Sequence, residues 1–208
     1  MNEGYDRLAA AIRRAETLIP KTGLDRSAVF DISDLAFHSG LEESTVRRLL
    51  AGKRVPPITD FNAEVVRRIR FAHATRLKTE TTEHGQQVRR LYTLPEIAAA
   101  AGMTPQWLHK LLKAPKAPNL EHSKALAVLF EVRIEFFTDP PALALALVLE
   151  ERVLPDLESY QVDPVETLSR QFGLTAIAAR GIDSTDGPDA SRALLGLIHR
   201  LSQERRPK

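Results

Sequence analysis

Thr93-Leu94-Pro95-Glu96-Ile97-Ala98-Ala99-Ala100-Ala101-Gly102-Met103-Thr104-Pro105-Gln106-Trp107-Leu108-His109-Lys110-Leu111-Leu112 reads as one helix, a tight turn and a second helix. Leu94, Ile97, Ala98 and Ala101 recur at three and four residues, the spacing of one buried helix face. Gly102 ends that helix, because glycine enters the left-handed conformation that a sharp reversal needs. Thr104 and Pro105 then supply an N-cap and a first helical residue. Leu108, Leu111 and Leu112 turn inward, which leaves Gln106, Trp107, His109, Lys110 and Lys113 outward. The pattern is that of a helix-turn-helix whose second helix offers a polar face to a groove. A helical hairpin buried in an all-α core is the plainer reading of the same spacing.

A second copy lies 62 residues upstream, from Phe30 to Leu50. Ile32 falls on Leu94, Leu35 on Ile97, Ala36 on Ala98, Gly40 on Gly102 and Leu41 on Met103. Val46, Leu49 and Leu50 fall on Leu108, Leu111 and Leu112, and Phe30 falls on Tyr92. A turn glycine shared with seven apolar positions points to one supersecondary unit built twice.

Around the two copies the spacing predicts a first helix over 5–18, with Leu8, Ala11, Ile12 and Ala15 on one face. Pro20 and Gly23 break it, so 19–30 reads as a loop or short hairpin. A helix over 59–77 joins the copies through a stripe of Phe61, Val65, Ile69 and Ala72, with Val66, His73 and Leu77 beside it. Residues 76–92, threonine-rich and alternating around Gly85, read either as a β-hairpin, hence a wing, or as a flexible loop. Pro140-Pro141 closes this block. Ala142 to Leu149 is apolar all round, the mark of a helix buried on more than one side. Further helices are expected over 163–172, 174–180 and 189–204, with a loop over 184–188. The expected architecture is all-α, with tandem helix-turn-helix units and a helical dimerisation domain. Its divisions are 1–58, 59–139 and 140–208. Leu145, Leu149, Leu194, Leu197, Ile198 and Leu201 are the candidate dimer interface; an intramolecular C-terminal subdomain is the alternative.

Composition narrows the class. There is no cysteine, so disulfides, thiol catalysis and cysteine-ligated zinc are excluded. The N-terminus carries charges where a signal peptide needs an apolar core. The longest apolar run is eight residues, far short of the roughly 20 that span a bilayer. A soluble, cytoplasmic protein with no membrane contact is expected. The net charge of +2 hides a segregation. Residues 47–92 hold 11 Lys/Arg against 4 Asp/Glu, and residues 131–189 hold 4 against 12. A basic front with an acidic rear suits a nucleic-acid-facing body carrying an assembly domain. No phosphate loop, histidine pair at metal spacing or nucleophile elbow occurs, so an enzyme, a cofactor and a metal site are not expected. His38 and His73 read as core-edge residues, and His84 lies in the expected turn.

Residues 93–139 resemble the XRE (Cro/C1-type) helix-turn-helix family, and within it the actinobacterial EspR-type nucleoid-associated regulators. The resemblance is carried by Trp107-Leu108-His109-Lys110-Leu111, Ala117-Pro118-Asn119, Ala125-Leu126-Ala127-Val128-Leu129-Phe130-Glu131-Val132 and Phe136-Phe137-Thr138-Asp139. It implies a DNA-binding transcriptional regulator or repressor with a C-terminal helical dimerisation domain. Ala114-Pro115 stands where the family usually has a glycine, and the N-terminal copy is an addition to the short members. That copy keeps an XRE-like loop, Ala51-Gly52-Lys53-Arg54, but begins its second helix with Glu42-Glu43.

The expected partner is double-stranded DNA, bound by a homodimer. In the C-terminal copy, Thr104 is placed to bond a phosphate from the helix N-terminus. Gln106 suits adenine N6/N7 and Lys110 suits guanine O6/N7, each good pair being worth roughly 1–3 kcal/mol of discrimination. Trp107 has two readings, a contact to a thymine methyl or sugar and an anchor to its own domain. His109 reads as a surface hydrogen-bonder, and Lys113 and Lys116 as backbone contacts. In the N-terminal copy, Ser44, Thr45 and Arg48 match Gln106, Trp107 and Lys110, while Arg47, Lys53 and Arg54 are candidate phosphate contacts. Arg67, Arg68 and Arg70 read either as further phosphate contacts or as a solvated helix face. Because Glu42-Glu43 would repel phosphate, a second reading makes the N-terminal copy a docking site for a protein partner. A third is an adaptor or antitoxin-like protein that does not bind DNA by itself.

Overall fold

A computed structural model describes residues 3–82, 85–114 and 116–160. The described chain is mostly helical with one small sheet. In order the elements are α1 Glu3–Thr22, α2 Arg26–Val29, α3 Ile32–Ser39, α4 Glu43–Leu50, α5 Phe61–Thr75, β1 Leu77–Thr81 and β2 Gln87–Leu91. They continue with α6 Leu94–Ala100, α7 Pro105–Lys113, α8 Leu120–Leu129, a 3-10 turn Ile134–Phe137 and α9 Pro141–Val148. A π-helical stretch Leu149–Val153 and α10 Leu154–Tyr160 complete the described residues. Contacts divide the chain into two compact bodies: Met1–Ile12 with Phe30–Leu149, and Arg13–Val29 with Glu150–Lys208.

In the larger body the offset of 62 residues carries α3 onto α6 and α4 onto α7 along the chain. Both intervening turns place glycine in the left-handed region, Gly40 at φ 69° and Gly102 at φ 65°. The two glycines are needed for different reasons. A Cβ on Gly40 would lie 2.5 Å from Cζ of Phe136, so the turn is also a close approach to an aromatic ring. Nothing lies within 4 Å of a Cβ on Gly102, where only the backbone angle demands glycine. Leu35, Ala36, Val46 and Leu49 are buried, and so are their counterparts Ile97, Ala98, Leu108 and Leu111.

A continuous core joins α5 to the C-terminal copy: Val65, Val66, Ile69 and Ala72 pack with Ile97, Leu108, Leu126, Phe130 and Phe137. The α5 stripe is shorter than its spacing implies. Phe61 is 52% exposed in the first turn, before the stripe reaches the core, and Leu77 has passed into β1. Residues 76–92 form the β-hairpin rather than the loop, with Leu77 opposite Leu91 and Thr79 opposite Arg89. Glu83 and His84 at its tip lie outside the described residues.

α9 packs on α3 and α4. This corrects two of the dimer-interface assignments. Leu145 and Leu149 are 0% exposed, sealed inside the chain's own fold, and so present no surface to a partner. Leu194, Leu197, Ile198 and Leu201, and the helices expected after residue 162, lie outside the described residues. In the smaller body, α1 runs on past Pro20 to Thr22, whose Oγ1 donates to Ile19 O at 2.8 Å. The predicted loop over 19–30 is therefore the end of α1 plus the single turn α2. Proline in the last turn forfeits one backbone bond without ending the helix.

Candidate nucleic-acid interface

The C-terminal copy starts with a capping box. Thr93 Oγ1 accepts from Glu96 N, and Glu96 Oε2 accepts from Thr93 N at 2.8 Å, satisfying two N–H groups that the helix itself leaves unpaired. Glu96 also ties the hairpin down. It accepts from Arg90 at 2.7 and 2.9 Å and from Lys78 at 2.6 Å, while Glu80 accepts from Arg90 at 2.6 Å. Hydrogen bonds from Arg90 and then Lys78 hold the Glu96 carboxyl well below the usual carboxylate range. Hydrogen bonds donated to Glu96 and then to Glu80 raise Arg90 above its ordinary value.

After the turn, Met103 N donates to Ala98 O at 2.8 Å, the long backward bond that closes a helix over a left-handed residue. α7 follows, with Leu108 and Leu111 buried and Gln106, His109, Lys110 and Lys113 exposed. Lys110, Lys113 and the nearby Lys116 carry no ion pair among the described residues. Thr104 is the helix cap: its Oγ1 accepts from Trp107 N at 3.2 Å. The hydroxyl proton remains available to an acceptor beyond the helix end. Trp107 is anchored to its own domain on one side. Its ring leans on His122 with centroids 5.2 Å apart, yet the residue stays 36% exposed. His122 Nδ1 donates to Ala101 O at 2.8 Å, which leaves Nε2 facing away as the second ring nitrogen. The sequence carries one signal for this residue, its position three after the N-cap Asn119.

The N-terminal copy is built alike but charged differently. Glu42 occupies the N-cap of α4 without a side-chain hydrogen bond. Glu43 pairs with Arg47 at 2.6 Å, and Arg48 donates to Arg54 O at 3.2 Å. Arg54 lies over the Tyr5 ring at 5.5 Å, and the Tyr5 hydroxyl both accepts from Val55 N and donates to Val55 O. Ser44, Arg47, Arg48, Lys53 and Arg54 are exposed, and Thr45 is half-buried. Beside them is a cleft of about 220 Å³ lined by Leu41, Glu42, Thr45, Val55, Ile58 and Arg67 among others. Its lining comes from three separate segments and a proline of α9, so no sequence window contains it.

The arginines of α5 overturn the sequence reading most plainly. Arg68 is fully buried; it donates to Glu64, to Phe136 O at 2.8 Å and to Asp139 O at 2.7 Å. Arg67 donates to Glu64 and, at 2.7 Å, to Gly40 O, the carbonyl of the first turn. Arg70, although exposed, donates to Leu112 O at the end of α7. Arg67 and Arg68 thus satisfy carbonyls that helix ends and turns leave without donors and are held inside the fold, which corrects their reading as phosphate contacts or a solvated face; Arg70 stays on the exposed side of the helix. Burial raises the Glu64 carboxyl, but the Arg67 and Arg68 hydrogen bonds outweigh it and leave the group below its ordinary value. Burial lowers Arg68. Part of the positive excess in residues 47–92 is thus taken up by the chain's own acceptors; among the cations in that stretch, Arg47, Arg48, Lys53, Arg54 and Arg89 are exposed, on α4, its following loop and β2. His38 and His73 are half-buried at the core edge, and His73 Nε2 donates to Tyr92 O at 2.9 Å.

Compared with known proteins, the chain matches no family model, no curated protein and no solved structure.

Proposed function

We propose that this chain is a sequence-specific DNA-binding transcriptional regulator, acting as a dimer, of the XRE-like helix-turn-helix kind. One observation carries the reading. The outward side of α7 holds Gln106, Trp107, His109, Lys110 and Lys113, with no carboxylate on that helix and no ion pair on its lysines among the described residues, while Leu108 and Leu111 fasten the other side to the core. A rigid helix with a cationic, hydrogen-bonding outer face fits a major groove. Gln106 and Lys110, four apart, read base edges; Thr104, Lys113 and Lys116 hold the backbone.

Binding to a mixed-sequence duplex and to fragments of the chain's own upstream region, followed by salt titration, tests this. Affinity is expected to fall steeply with salt. Lys110→Ala and Gln106→Ala are each expected to cost about 1–3 kcal/mol on the preferred site and to relax base preference there. Binding that barely changes between low and moderate salt sinks the proposal.

A second reading has its own support in the N-terminal copy. There the Glu43–Arg47 pair, the Arg48 bond to its own loop and the cleft beside Glu42 favour a protein partner docked on α4, with only the C-terminal copy on DNA. Arg48→Ala separates the two: lost DNA affinity marks α4 as a second reading head, and unchanged affinity marks it as a dock.

A further inference from the structure

The hairpin has two unlike faces. Cross-strand partners share a side of an antiparallel pair and alternate along it. Lys78 and Arg90 therefore lie on one face with Glu80 and Val88, and both cations are locked to Glu96. The opposite face carries Leu77, Thr79 and Thr81 from β1 and Leu91, Arg89 and Gln87 from β2, all exposed. That face holds one cation and no carboxylate, and Arg89 carries no ion pair among the described residues. Adjacent arginines thus have opposite fates. Arg90 is held by two carboxylates, whereas Arg89 projects from the other side with a row of hydroxyl and amide donors beside it.

The hairpin is also not a free arm. Glu96, which receives Arg90 and Lys78, is the third helical residue of α6 and part of its capping box. Whatever the outer face contacts is therefore held at a set angle to α6, and through the Gly102 turn to α7.

We propose that this outer face is a second contact to the nucleic-acid backbone, with Arg89 on a phosphate and Thr79, Thr81 and Gln87 as supporting donors. The proposal rests on the DNA-binding reading of α7 and adds a separate element to it. Arginine, threonine and glutamine donors without a carboxylate match phosphate oxygens, which accept and do not donate. Such a contact gives register and affinity but no base preference, and it complements the base-reading residues of α7.

The test uses the full chain, a mixed-sequence duplex and the upstream fragment that the wild type binds most tightly, with wild type, Arg89→Ala and Lys110→Ala compared by salt titration. Arg89→Ala removes an exposed side chain, and its thermal unfolding is expected to match wild type. Its affinity is expected to fall on both duplexes alike. Its slope of log K against log salt is expected to be shallower by about 0.9, so that about 3.5-fold less affinity is lost between about 50 and 200 mM salt. Lys110→Ala, by contrast, is expected to change the preference between the two duplexes. An unchanged slope in Arg89→Ala while wild type still binds overturns the hairpin contact and leaves the α7 reading standing. Loss of the dimer in Arg89→Ala, with the slope intact, overturns it in favour of an interface between copies. A wild-type chain that binds neither duplex at any salt overturns both.

Discussion

Arg68 is the residue that departs furthest from its sequence context. It sits three residues after Val65 and one before Ile69, on the apolar stripe itself, and a charge there is tolerated only because three acceptors surround it. Arg68→Met leaves Phe136 O and Asp139 O without their donor and Glu64 with one arginine instead of two. Removing one member of such a buried set is expected to cost about 3–5 kcal/mol, measured by urea unfolding. Arg68→Lys is expected to recover only part, since an ammonium lacks the planar fork that reaches several acceptors. The turn glycines make a second residue-scale comparison. Gly102→Ala meets only the left-handed backbone cost of about 1–2 kcal/mol. Gly40→Ala adds a collision with the Phe136 ring, at 2.5 Å from Cζ, and overpacking of that kind costs about 1–3 kcal/mol more. Equal losses of stability in the two variants would show that the ring moves aside freely.

Among the elements, the hairpin and α6 are coupled through one carboxylate. Glu96 is lowered by Arg90, Lys78 and Thr93, so its contribution is fully present above the ordinary carboxylate range and is lost as pH falls through its depressed folded value. Glu80 is lowered in the same sense by Arg90 and Lys78. Wild-type stability is therefore expected to decline from about pH 4.3 downward. Glu96→Gln is expected to lower the denaturation midpoint at neutral pH and to flatten that acid decline, as followed by urea midpoints across the range. A variant as acid-sensitive as wild type would place the titration elsewhere, with Glu64 the next carboxylate to examine. The hairpin itself was one of two readings of residues 76–92, because threonine alternation around a glycine marks a strand pair only weakly. What settles it is the Glu96 anchor, which stabilises a two-stranded sheet that would be marginal alone.

For the whole molecule, burial reassigns the early part of the supposed assembly surface. α9 is packed against α3 and α4, and Leu145 is completely enclosed. Leu145→Ala is accordingly expected to cost about 2–5 kcal/mol of folding stability. Sedimentation at concentrations where the variant remains folded is expected to leave any association unchanged. A selective loss of dimer with unaltered unfolding would return Leu145 to an interface role. The charge balance changes meaning at this scale too. Residues 47–92 read as a basic front, yet Arg67, Arg68, Arg70, Lys78 and Arg90 are bound to the chain's own acceptors. The outward positive charge is carried by other side chains, among which Lys53, Arg89, Lys110 and Lys113 are exposed without ion pairs among the described residues.

The helix pairs, their glycine turns and the cap Thr104 were legible in the chain, because each depends on contacts within about four residues; the caps Thr93 and Asn119 came from the structure. The outward positions of α7 followed from the same periodicity. The fate of the arginines did not follow. Arg67 reaches a carbonyl 27 residues away and Arg68 one 71 residues away, and only the packing of α5 brings those acceptors within reach. Local spacing decides where a helix forms and which side is apolar; tertiary structure decides which of its cations are needed inside and which are left facing outward.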